Sequence, residues 1–274
     1  MSPWGRPVVF TDLDGTLLDE KTYSFEGARP ALEELARRGA TIVPCTSKTA
    51  AETRHFMGRM GIESPCVVES GGGIHIPEGY FPGIPPVGES TQHGRLIRLA
   101  AAYGEVLEGM REIKKAKGGA VVSFHEMTAQ QIARETGLPL PLARLAKERE
   151  FDEPFRLLDP EPAWPADIES CISRRNLRIT RGGRYWHLHG DTDKGRAVEI
   201  VKSFFQATEG VIRTVGVGDS AMDLPMLESV EIPIVIPSEK SGHDPMLVRG
   251  LGRAVLAPRP GPEAWGVAVL GVLK

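Results

Sequence analysis

The sequence contains a single asparagine, Asn176, and few glutamines. A shortage of thermolabile amides accompanies life at high temperature, and GC-rich coding gives the same bias, so both origins fit. Cysteine is scarce as well. Cys45, Cys66 and Cys171 are too far apart for a disulfide framework or a zinc-ligand pattern. Cys45 and Cys66 lie in apolar runs and read as core thiols, which fits a reducing cytoplasm. Neither sign of charge dominates: the net charge is −3, which excludes a general nucleic-acid binder. Long hydrophobic runs are missing. The most apolar late stretch, "WGVAVLGVLK", falls far short of the roughly 20 residues that a membrane span needs. The opening "MSPWGRP" lacks the apolar region of a signal peptide. The expectation is a soluble cytoplasmic protein without nucleic-acid or membrane partners; oligomeric state is not legible.

What is present is a strand–helix rhythm. "VVF" ahead of Thr11 reads as a short buried strand. "GARPALEELARRGA" carries Ala31, Leu32, Leu35 and Ala36 at helical spacing, with Gly39 as a stop. "TIVPC" is a second apolar run, and "TSKTAAETRHFMGRMG" the following helix. "PCVVESGGGIHIP" reads as strand, glycine turn, strand. Beyond Phe81 the rhythm breaks. "FPGIPPVGES" resembles a linker, "GRLIRLAAAYGEVLEGM" is expected to be helical, and "TAQQIARETG" and "PLARLAKERE" read as two more helices. Two strand-like pieces flank the turn Arg181–Arg184. After Gly190 the rhythm resumes with the helix "DKGRAVEIVKSFFQATEG", the strand "IRTVGVGD", the helix "DLPMLESV", the strand "IPIVI" and a last helix near "PEAWGVAVLGVL". Alternating strands and helices imply a parallel sheet. The expected architecture is an α/β, Rossmann-like parallel-sheet core from residues 1–82 and 191–274, with an inserted α/β cap at 83–190.

The chemistry concentrates at strand ends. In "VVFTDLDGTLLDE", Asp12 and Asp14 stand where the first strand should stop, and open parallel sheets bind ligands beyond that end. Two close carboxylates resist joint ionisation unless a cation joins them, and hard Mg²⁺ takes oxygen ligands of this kind. One carboxylate is then free to attack phosphorus, giving an aspartyl phosphate, and the other to move protons. A plain polar Asp-Gly turn is the competing reading. "TVGVGDSAMD" places Asp219 and Asp223 at a second strand end, where metal binding competes with helix capping by Asp219 or Ser220. "VPCTSKT" places Thr46, Ser47 and Lys48 at a third, where hydroxyls and a helix N-terminus suit a phosphate or simply cap the helix. Lys194 opens a helix, where a cation is disfavoured. It either balances a carboxylate-rich site or stands in solvent.

These four pieces, in this order, resemble the haloacid dehalogenase superfamily of phosphohydrolases. The resemblance implies Asp12 as nucleophile, Asp14 as general acid and base, and Thr46, Ser47 and Lys194 as phosphate-binding residues. It implies Mg²⁺ held by Asp12, Asp14 (through its backbone carbonyl) and Asp219, with Ser220 and Asp223 supporting. Within the superfamily, "CTSKTAAE", "VVESGGGIHIPEGYF", "EREFDEPF" and "WHLHGDTDKG" together resemble the mannosyl-3-phosphoglycerate phosphatase family. Ser70 departs from that pattern where Asn is usual, as does Met222 after "GDS". The implied substrate is a phosphorylated sugar-glycerate, and the implied product mannosylglycerate, a compatible solute. Lys48, Gly72, Gly73, Arg149, Arg174 and His187 are the expected substrate-binding residues. His189, two positions on, faces the same side as His187 in a strand. Phosphatases of other sugar phosphates, a phosphomutase and a non-catalytic sugar-phosphate binder are the alternatives.

Overall fold

A computed structural model describes residues 5–117, 120–158, 166–181 and 185–274. The turn expected at Arg181–Arg184 falls largely outside them. In chain order the elements are β1 (Arg6–Thr11), α1 (Arg29–Arg37), β2 (Thr41–Pro44), α2 (Ala50–Met60), β3 (Cys66–Val68), β4 (Gly73–Ile76), β5 (Glu89–Thr91) and β6 (Gly94–Arg98). Next come α3 (Tyr103–Lys117), β7 (Val121–Ser123), α4 (Ala129–Thr136), α5 (Leu140–Leu145), β8 (Asp152–Leu157), α6 (Ala166–Arg174), β9 (Leu177–Arg181) and β10 (Trp186–Gly190). The chain closes with α7 (Lys194–Glu209), β11 (Ile212–Gly218), α8 (Leu224–Glu228), β12 (Ile232–Val235), α9 (Pro245–Gly250), β13 (Val255–Leu256) and α10 (Gly261–Val272).

Five strands form a parallel sheet in the order β13-β12-β11-β1-β2. β1 is inside the sheet with both faces covered, and its Val8, Val9 and Phe10 are fully buried. This explains a continuous apolar run instead of alternation. One face packs with α1 and α10, including Leu35 and Trp265. The other packs with α7 and α8 through Val198, Val201, Phe205 and Leu227. Chain direction places the carboxyl ends of β1, β2 and β11 side by side, so residues far apart in sequence converge there.

Two antiparallel sheets complete the molecule, β3-β4-β6-β5 and β7-β8-β10-β9. The second forms the cap with α3 and α6, over a core that includes Val106, Ile113, Phe155 and Leu188. The helix expected over "GRLIRLAAAYGEVLEGM" is corrected: residues 94–98 are strand β6, and only Tyr103 onward is helical. Pairing of Ile74 with Ile97 and of His75 with Leu96 decides the conformation there, and tertiary pairing overrides propensity. Because β5 and β6 share a sheet with β3 and β4, we propose the core-to-cap boundary near Leu99 instead of residue 83. Among the described residues, no helix is long and apolar enough to cross a membrane.

Candidate active site

Asp12 is the first residue past β1, and its N–H donates to the Val217 carbonyl at 2.9 Å, so it lies against the end of β11. Trp265 Nε1 donates to Thr11 Oγ1 at 2.9 Å and thereby ties α10 to the same strand end. The chain must turn at Gly15, which sits at φ +73, and a Cβ there would lie 2.9 Å from Asp219 Oδ2. Only glycine allows this backbone to approach the second strand end so closely. Thr16 Oγ1 donates to Asp219 Oδ1 at 3.1 Å and completes the joint.

Lys194 is the first residue of α7, behind the N-cap Asp193. It is only 3% exposed, which rules out the solvated-cation reading. Its ammonium donates to Asp12 Oδ1 and to Asp223 Oδ1, each at 2.6 Å. Asp223 Oδ2 accepts the N–H groups of Asp219 and Ser220, each at 3.1 Å, and the Ser220 hydroxyl at 3.2 Å. Of the two expected caps, Ser220 is the N-cap and Asp219 is not; Ser220 forms a reciprocal box with Asp223, and one ammonium joins that box to Asp12.

Asp12, Asp219 and Asp223 each offer a carboxylate oxygen, and these atoms all lie within 4.8 Å of one another. Burial pushes Asp12 up to about 7, against the pull of Lys194. Burial also pushes Asp219 well above the usual carboxylate range, with Asp223 and Asp12 adding to the rise. Lys194 stays charged because Asp12 and Asp223 outweigh its own burial. Three carboxylates against one ammonium leave an excess of negative charge in a dry site. Oxygen donors with this deficit fit a hard divalent cation. The Asp14 side chain is outside this cluster and pairs instead with Lys48 Nζ at 2.9 Å. Asp14 is thus left with its backbone carbonyl for a cation, and Asp223 belongs to the carboxylate cluster itself. Asp14 Oδ1 is buried with no hydrogen-bond partner among the described residues.

Above Asp12 opens a cavity of ≈ 470 Å³ lined by the core residues Asp14, Ser47 and Lys48 and by Arg149 and His187 from the inserted region. The other expected residues are distributed unevenly around it. Thr46 is fully buried, does not line the cavity, and accepts the Lys48 N–H on its hydroxyl at 3.2 Å. The cap of α2 is Thr49, in a reciprocal box with Glu52, not Thr46 or Ser47. Gly72 and Gly73 do not line the cavity and pack against Phe151, from which a Cβ would lie 2.4 Å and 2.6 Å. Arg174 is exposed at the end of α6 and does not line the cavity. His187 lines the cavity and its Nδ1 meets Asp152 Oδ2 at 2.9 Å, whereas His189 does not line it and turns Nδ1 to the Gly190 carbonyl at 2.8 Å.

Sequence reading missed Tyr23, Glu52 and Asp152. Glu52 lies 3.6 Å from Lys48 Nζ, which also stands 4.9 Å from the centre of the Tyr23 ring. The T-x-x-E box from Thr49 to Glu52 was a readable signal for Glu52, and Asp152 lies in the quoted stretch "EREFDEPF"; Tyr23 had none.

A parallel sheet with acidic strand ends, an inserted sheet and a cavity between them defines a hydrolase core with a cap. Residues 9–81 match the haloacid dehalogenase-like hydrolase family. A glucosyl-3-phosphoglycerate/mannosyl-3-phosphoglycerate phosphatase of Persephonella marina is 39% identical over 97% of this chain and 97% of its own. A protein of the same description from Methanococcoides burtonii is 36% identical over 98% of this chain and 97% of its own. A crystal structure from Thermoplasma acidophilum superimposes with a TM-score of 0.68 at 17% identity, covering 97% of this chain and 98% of that one. The chain belongs to the haloacid dehalogenase-like hydrolases, in the family that holds these two curated phosphatases. It is a phosphatase.

Proposed function

We propose that this phosphatase hydrolyses mannosyl-3-phosphoglycerate to mannosylglycerate and inorganic phosphate, with Mg²⁺ as its cofactor and an aspartyl phosphate as intermediate. The observation that carries the reading is the Lys194 ammonium, shared at 2.6 Å between Asp12 and Asp223 beneath a cavity that core and cap residues line together. The names of the two relatives support the substrate. Three unpaired cysteines accord with a cytoplasmic setting.

Asp12 attacks phosphorus in line with the bond to the glycerate oxygen, which leaves as that bond breaks. Asp14 protonates the leaving oxygen, and it later takes a proton from the water that attacks the same phosphorus and frees Asp12. The Asp14 side chain is 41% exposed and faces the cavity, paired with Lys48 Nζ at 2.9 Å. Lys194 offsets the charge of the phosphoryl oxygens and the Ser47 hydroxyl donates a hydrogen bond to them, and preorganised donors of this kind supply much of the acceleration. Asp12, Asp219 and the Asp14 carbonyl would hold Mg²⁺, braced by Asp223, and when bound it neutralises charge between the nucleophile and the phosphoryl group. Arg149 and His187 stand on the cap side, where the organic part of the substrate would be selected.

The test is phosphate release from a panel of phosphorylated sugars and glycerates in the presence of Mg²⁺, ranked by kcat/KM. Mannosyl-3-phosphoglycerate should lead. A flat ranking, or preference for a simple hexose phosphate, removes the named substrate, and phosphoryl transfer to sugar instead of water would identify a mutase. Glucosyl-3-phosphoglycerate is the second reading, because both curated relatives carry it in their names.

A further inference from the structure

A buried charged junction beside the cavity joins the phosphate-side loop to the cap. Glu69 and Ser70 sit at φ 47 and φ 58, and Gly71 at φ 97. Two successive non-glycine residues in the left-handed region persist only where surrounding contacts hold them. The Glu69 N–H donates to the Lys48 carbonyl and the Ser70 N–H to the Thr46 carbonyl, each at 3.0 Å. The Gly71 carbonyl accepts the Thr192 hydroxyl at 3.0 Å, two residues before Lys194.

The Glu69 side chain makes the connection to the cap. Its carboxylate accepts the N–H groups of Glu150, Phe151 and Asp152, each at 2.8 Å. The Arg149 guanidinium stands 3.5 Å from it. Arg149 Nε donates to the Asp152 carbonyl at 2.8 Å, its Nη2 to the Ser47 carbonyl at 3.0 Å, and Nη2 also pairs with Asp152 Oδ2 at 3.2 Å. Asp152 is an ionised acceptor: His187 and Arg149 outweigh its burial and hold its carboxyl low. His187 therefore gives it the Nδ1 proton, which leaves Nε2 as the ring's other polar atom. Glu69 and Asp152 are fully buried and Arg149 nearly so, and Glu69 does not line the cavity.

We infer that Glu69 is a positioning residue for substrate selection: by gathering three backbone N–H groups and Arg149, it fixes Asp152 at the start of β8 and, through Asp152, holds His187 in the cavity it shares with Asp12. Displacements of about 1 Å in a positioning group can cost about a hundredfold in rate. A small phosphate ester occupies the phosphate end and makes no demand on His187. Selection and chemistry are thereby separable.

The inference rests on the proposed function, and the experiment keeps the two apart. Wild type, Glu69→Gln and Asp152→Asn are assayed on mannosyl-3-phosphoglycerate and on para-nitrophenyl phosphate, with Tm recorded for each. Wild type should prefer the sugar-glycerate; lack of preference overturns the substrate and, with it, the selection role. Given that preference, each folded variant should lose about tenfold or more in kcat/KM on the sugar-glycerate, chiefly through KM, and less than about threefold on the small ester. Preference kept by the variants overturns the role of Glu69 and leaves the substrate standing. Equal losses on both esters, tracking a fall in Tm, mean that Glu69 only supports the fold, and they overturn the inference too. Asp152→Asn carries the test if Glu69→Gln does not fold.

Discussion

Lys194→Met keeps an unbranched side chain, one atom shorter, and removes the charge and the N–H donors that join Asp12 to Asp223. Both bonds are 2.6 Å, and Lys194 is 3% exposed. Removing one partner of a buried ion pair costs about 3–5 kcal/mol, because it leaves charge uncompensated. For a chain of this size that is a fall of about 10 °C in Tm. The loss should depend on pH with a definite sign. Asp12 is an acid raised by burial to about 7. Without metal, the folded state therefore holds a proton that the unfolded chain has released, and stability falls as pH rises from the unfolded value, about 4, toward 7. Removing Lys194 raises Asp12 further and extends the fall to higher pH. The destabilisation should thus be larger near pH 8 than near pH 5. Denaturant melts in metal-free buffer at both values measure it. Added Mg²⁺ should narrow the stability gap by replacing the lost charge, while kcat stays about a hundredfold or more below wild type, because a positioned donor to the phosphoryl oxygens is missing. A variant within about 1 kcal/mol of wild type near pH 8 without metal, or within about threefold in kcat, would refute this account of the site.

Asp12→Asn should keep the fold, abolish turnover and leave metal-free Tm near pH 8 at or above that of wild type, since it removes a buried charge that has too little compensation; a calorimetric scan and a turnover assay read both. Gly71→Ala should cost about 3 kcal/mol or more, from a positive φ and a Cβ 2.2 Å from the Asp193 carbonyl, and should lower activity by displacing Lys194; urea melts and kcat check it. Arg174→Ala should leave kcat/KM within about threefold on every substrate, because the side chain is exposed and away from the cavity.

The sequence alone determined the core strands, the strand ends that carry carboxylates, and Lys194 as a cation in the wrong place for a helix. These features are local: apolar runs, Asp-Gly turns and a misplaced charge need no knowledge of distant contacts. The same locality explains the failures. Residues 94–98 look helical until β4 is placed beside them, and the glycine turn at Gly72 and Gly73 gives no sign of the Phe151 ring that packs against it. The partner of the Asp14 carboxylate could not be named before Lys48 was brought to 2.9 Å, nor Asp223 joined to Asp12 before Lys194 bridged them. Glu69 lies in the quoted stretch "VVESGGGIHIPEGYF", but its role was not legible, because its partners lie some eighty positions along the chain and are mostly backbone N–H groups, which any residue except proline supplies. Residue types announced what chemistry was available; only the packing of cap on core decided which charges meet, since Coulomb energy and hydrogen bonds depend on distance and burial, and neither is written in the order of the residues.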